Sequence, residues 1–75
     1  MRRENLEFRF FFNAGLDKVT GICDGEGSDV FEHDELGTPH YIGSLYNIMP
    51  SELAEMEDYE LENLLAENGI FPNLV

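Results

Sequence analysis

The first regular pattern along the chain has a period of two. Leu6, Phe8, Phe10 and Phe12 alternate with Glu7, Arg9 and Phe11. That is the spacing of a strand with one buried face, because successive side chains leave a pleated strand on opposite sides. Asn13-Ala14-Gly15-Leu16 follows as a turn in which Gly15 can take positive φ. The pattern predicts a β-hairpin over residues 4–23, with Phe12 facing Asp17, Phe10 facing Val19, Phe8 facing Gly21 and Leu6 facing Cys23. Its inner face would hold Leu6, Phe8, Phe10, Phe12, Val19 and Cys23. On the outer face Glu7, Arg9 and Phe11 would oppose Ile22, Thr20 and Lys18.

The periodicity then weakens. Asp24-Gly25-Glu26-Gly27-Ser28-Asp29 reads as a glycine-punctuated acidic loop, and Val30-Phe31-Glu32-His33 as a short third strand. Tyr41, Ile42, Leu45, Tyr46 and Ile48 fit either a strand broken at Gly43 or a short helix, with strand favoured for 39–42.

The last third is helical in composition, and spacing decides how many helices it makes. One helix from Pro50 to Asn68 would bring Glu57 and Glu60 onto the same face as Leu53, Met56, Leu61 and Leu64, burying charge without a partner. Two helices remove the conflict. The first has Pro50 in its opening turn and ends near Met56. The second is capped by Asp58, carries Glu60 and Glu62 near its positive end, and closes at Asn68-Gly69. Leu61, Leu64 and Leu65 then form an i, i+3, i+4 stripe. The expected fold is α+β, an N-terminal antiparallel hairpin extended to three or four strands and covered on its Phe-rich face by two short helices.

Seventy-five residues make a single domain with a thin core. The 43% apolar content and nine aromatic residues, six Phe and three Tyr, separate the chain from disordered sequences. One cysteine, Cys23, permits no intramolecular disulfide, which suits a reducing compartment. Arg9 interrupts the only run resembling the apolar part of a secretory signal, and no stretch approaches membrane-spanning length. The expected location is the cytoplasm.

Charge changes the picture most. The net charge is −12, and all four bases (Arg2, Arg3, Arg9, Lys18) fall in the first 18 residues, beside Glu4, Glu7 and Asp17. From Val19 onward the chain has thirteen carboxylates and no lysine or arginine. A surface of one sign repels itself and attracts its opposite over distances up to about a Debye length. Direct nucleic-acid binding is disfavoured, since phosphate contacts need cations. A surface bearing rows of carboxylates can instead imitate a phosphate backbone and occupy the basic groove of a nucleic-acid-handling protein. Small acidic inhibitors, often phage-encoded, that block restriction enzymes, repair glycosylases or CRISPR complexes are of this physical type. The expected contact residues are Asp24, Glu26, Asp29, Glu32, Asp34 and Glu35 in the acidic stretch. Glu52, Glu55, Glu57, Asp58, Glu60 and Glu62 are expected to join them from the helical region. The alternative is an assembly subunit that packs through an aromatic sheet face around Phe11 and Ile22, or through the apolar tail Ile70-Phe71-Pro72.

Other chemistry fits poorly. Spacing from Asp24 to Glu35 resembles a calcium loop, but Asp29 occupies the position where the sharp turn needs glycine. Cys23, His33 and His40 lack the spacing of a structural zinc site. The same three could supply a nucleophile and bases, yet so small a core leaves little material for a deep pocket. The expected protein is non-enzymatic, without cofactor or metal.

Overall fold

The computed structural model describes residues 3–12 and 25–72. A 3₁₀ turn (Arg3–Asn5) leads into β1 (Leu6–Phe12). Then come β2 (Glu26–His33), β3 (Pro39–Tyr46), α1 (Pro50–Glu55) and α2 (Asp58–Glu67). The strands form an antiparallel sheet in the order β1-β2-β3. The fold is α+β, with three strands and two helices among the described residues.

β1 forms where the alternation predicts it. One of its edges pairs with β2, from Leu6 opposite Glu32 to Phe12 opposite Glu26. The expected hairpin arm at 17–23, its facing pairs and Cys23 lie outside the described residues. The acidic stretch is not a loop: Glu26, Asp29 and Glu32 belong to the central strand of the sheet. Glycine and acidic residues are poor strand formers in general, but a central strand is held by ladders on both edges. Gly27 is required by close approach, since a Cβ there would stand 2.0 Å from the Leu45 carbonyl oxygen. Ser28 is fully buried, and its hydroxyl donates to the Ile48 carbonyl at 2.7 Å, which removes the cost of enclosing it.

β3 runs the full length from Pro39 to Tyr46, and Gly43 does not break it. Val30 pairs with Gly43 while Phe31 pairs with Tyr41, so Ile42 is the extra residue of a bulge. The β2–β3 connection is organised by Asp34. Its Oδ1 accepts from the Leu36 and Thr38 amides at 2.9 Å each, and Gly37 takes φ 81°.

The helices divide as the buried-charge argument requires. α1 opens on Pro50, and the Glu52 carboxylate accepts from the Met49 amide at 3.3 Å. The break falls at Met56-Glu57, and Glu57 rather than Asp58 is the N-cap of α2. Arg3 holds the corner. Its guanidinium donates to the Leu53 carbonyl at 2.5 Å, to the Met56 carbonyl, and to Asp58 at 3.2 Å. A fixed cation thereby satisfies carbonyls that the end of a helix leaves open. α2 ends in a Schellman motif, with Ile70 N–H bonded to Leu65 O at 2.8 Å, Gly69 N–H bonded to Ala66 O at 3.1 Å, and Gly69 at φ 72°.

One face of the sheet meets the helices. Val30, Leu45, Leu53, Leu61, Leu65 and Ile70 are buried there, with Leu6, Phe8, Ile42, Ile48, Met56 and Leu64 packed around them. Two expectations change. Phe10 and Phe12 share the face of Leu6 and Phe8 but are 55% and 64% exposed, because the helix layer covers one end of β1 and stops short of the other. Ile70, which the alternative assembly reading placed in an apolar tail available to a partner, is a core residue, while Phe71 remains exposed.

Candidate functional site

Strand alternation separates two chemically different surfaces. The helix layer carries Glu52, Glu55, Glu57, Asp58, Glu60 and Glu62, all exposed. They sit there because Leu53, Leu61 and Leu65 take the inward positions and leave the polar ones outward. Asp58 is paired with Arg3 and Glu52 is engaged with the Met49 amide. Glu55, Glu57, Glu60 and Glu62 have no hydrogen bond or ion pair from their side chains among the described residues. α2 has no basic residue in its last turn.

The remaining expected contact residues are dispersed. Asp24 lies outside the described residues. Glu26 is exposed at the start of β2, on the helix side of the sheet opposite Phe12. Glu32 is on that same side, opposite Leu6 and His40, half-buried, with its Oε2 enclosed and without a partner among the described residues. Asp34 and Glu35 are at the hairpin end, where Asp34 is taken up by the turn and by His40 Nε2 at 2.8 Å. The His40 hydrogen bond, followed by the Thr38 amide, holds the Asp34 carboxyl below its ordinary value of 3.8. Asp29 faces the opposite side of the sheet. The fold thus gathers the six helical carboxylates on one layer and separates them from Asp29.

That opposite side is the surface that periodicity alone undervalued. Glu7, Arg9 and Phe11 from β1, Asp29, Phe31 and His33 from β2, and Tyr41, Ser44 and Tyr46 from β3 share it. The Arg9 guanidinium lies 4.3 Å above the Phe31 ring and donates to Glu7, whose other oxygen meets His33 Nε2 at 2.6 Å. These bonds, Arg9 first and His33 second, hold the Glu7 carboxyl below its ordinary 4.5, and Glu7 raises the Arg9 pKa in return. Phe31 meets Tyr41 edge-on at 5.7 Å, and Phe11 meets Tyr46 at 5.2 Å. Ser44 links the Tyr41 hydroxyl, 2.5 Å away, to the Asp29 carboxylate at 2.7 Å.

His33 and His40 are committed to different carboxylates, and among the described residues no group of three or more His, Cys, Asp or Glu side chains is disposed to hold a metal ion. The calcium-like spacing from Asp24 falls largely on a continuous strand, whose alternating side chains cannot converge on one ion. No described helix is long and apolar enough to cross a membrane. Comparison with protein families, characterised proteins and solved structures finds no match.

Proposed function

We propose that this chain is a non-enzymatic binding protein whose acidic helix layer engages and regulates or inhibits a basic, nucleic-acid-handling protein. The observation that carries this reading is the exposed set Glu55, Glu57, Glu60 and Glu62 on α1, the α1–α2 corner and α2, in a chain without lysine or arginine after Lys18. Arg3 pairs with Asp58 within this layer and Arg9 with Glu7 on the open side of the sheet, so among the described residues Glu55, Glu57, Glu60 and Glu62 keep their charge without a cation partner. Exposed carboxylates spread over two short helices and the corner between them give this layer a negative field, and a groove built for phosphates is the complementary surface. The partner would therefore lose access to nucleic acid while the acidic protein is bound. In this reading the protein is cytoplasmic and of the phage-type nucleic-acid-mimic class.

The test is affinity capture with the immobilised protein, eluted by a salt gradient. A basic partner released by salt and displaced by DNA or RNA supports the reading. A partner that resists both salt and nucleic acid contradicts it.

A further inference from the structure

We infer that the open face of the sheet, the side away from the helices, is a self-association surface whose occupant is the same face of a second copy. This surface is separate from the acidic helix layer and does not depend on what that layer binds. An open antiparallel sheet face ordinarily alternates to polar residues where it meets water. Here it carries Phe11, Phe31, Tyr41 and Tyr46, and Tyr41 and Tyr46 are 59% and 62% exposed. Aromatic side chains of this kind are characteristic of contact surfaces.

Charge selects the occupant. Among the described residues, the carboxylates on the open face are Glu7 and Asp29, and both have partners on the face itself. Glu7 is bonded by Arg9 and His33, and Asp29 accepts from Ser44. The described residues of the face, two carboxylates with one arginine and one histidine, carry little net charge although the molecule carries −12. Two copies meeting through their helix layers would repel strongly. Meeting through their sheet faces, they bring together surfaces whose described carboxylates are already paired and turn both acidic layers outward. A two-fold axis satisfies such a self-complementary patch, and sheets stacked face to face at about 10 Å interdigitate side chains of this size. Single-stranded nucleic acid, the other ligand that stacks on aromatic sheet faces, would bring phosphates to a molecule of the same sign.

Size sets the strength. Three strands of seven or eight residues span roughly 15 by 25 Å, smaller than the ~800 Å² per partner of a standard stable interface. The dimer is therefore reversible and concentration-dependent.

The test is sedimentation equilibrium over a wide concentration range, with Tyr41→Glu as the disrupting variant and Tyr59→Glu, at an exposed position on α2, as the control. Circular dichroism checks that both variants fold. The expected result is a mass rising from 8.6 kDa towards twice that value. Tyr41→Glu should raise the dissociation constant at least tenfold and Tyr59→Glu should leave it unchanged. Raising NaCl from about 20 to about 200 mM shortens the Debye length from roughly 20 to roughly 7 Å. That screening should strengthen self-association, the reverse of its effect on an acidic–basic complex. A monomeric mass throughout, an unaffected Tyr41→Glu dimer, or a Tyr59→Glu variant that dissociates would overturn the inference. Binding of a labelled oligothymidylate at the sheet face would overturn it in favour of nucleic acid.

Discussion

Gly43 and Ile70 share one site on the sheet: a Cβ on Gly43 would lie 2.5 Å from Ile70 Cγ1 and 2.7 Å from Cδ1. The Schellman turn at Gly69 directs Ile70 back over α2, and the bare backbone of β3 receives it. This contact draws the segment after α2 into the core and determines how the helix layer is anchored.

Gly43→Ala should therefore destabilise the fold by about 1–3 kcal/mol through overpacking. Part of that loss should disappear when Ile70→Ala is made in the same chain. Denaturant titration of both single variants and the double variant measures the coupling. Simple additivity would show that the two side chains do not compete for space.

Gly69 takes a conformation that a β-carbon disfavours, at φ 72°. Gly69→Ala should cost about 1 kcal/mol. The loss should appear first as faster amide exchange at Ile70, whose bond to Leu65 O closes the helix end.

Arg3 joins the α1 terminus to the start of α2. Removing it with Arg3→Ala leaves the Leu53 carbonyl with only the Met56 amide and takes the Arg3 donor from the Met56 carbonyl, and should cost about 1–2 kcal/mol. Lys at this position should restore less than Arg, because an ammonium lacks the forked geometry that reaches two carbonyls and a carboxylate together. Thermal denaturation of the three proteins gives the order.

The pH response of the β2–β3 turn follows from Asp34. Its folded pKa is depressed by the His40 hydrogen bond and by the turn amides. The turn should hence be fully supported above 3.8, the ordinary aspartate value, and lose support as pH falls through the lower folded value. The Leu36 and Thr38 amide shifts should titrate with a midpoint below 3.8. A midpoint at or above that value would contradict the geometry.

Much of this was legible in the residues. The alternation of Leu6, Glu7, Phe8 and Arg9 placed β1, and the conflict between Glu57 and the leucine stripe placed the helix break at Met56-Glu57. Residues 30–33 were expected as a strand and form one; the missed part was the first half of β2, because Glu26-Gly27-Ser28-Asp29 has turn-like local preferences that two neighbouring strands override. One signal was present: Ser28 and Val30 lie on one side and Asp29 and Phe31 on the other, a period of two hidden by small residues. Phe10 and Phe12 were misjudged for a different reason. Periodicity identifies a face but not how far a helix layer extends across it. The same limit concealed the contrast between the two surfaces, since Glu7, Arg9 and His33 meet only through the β1–β2 register.

The most direct test of the account compares the captured partner's affinity for the native protein and for a variant with Glu55→Gln, Glu60→Gln and Glu62→Gln, at low and physiological salt. The account predicts weaker binding by the variant, a shallower salt dependence, and an unchanged fold, since all three side chains are exposed. Equal affinity and equal salt dependence for the two proteins would contradict the acidic helix layer as the binding surface.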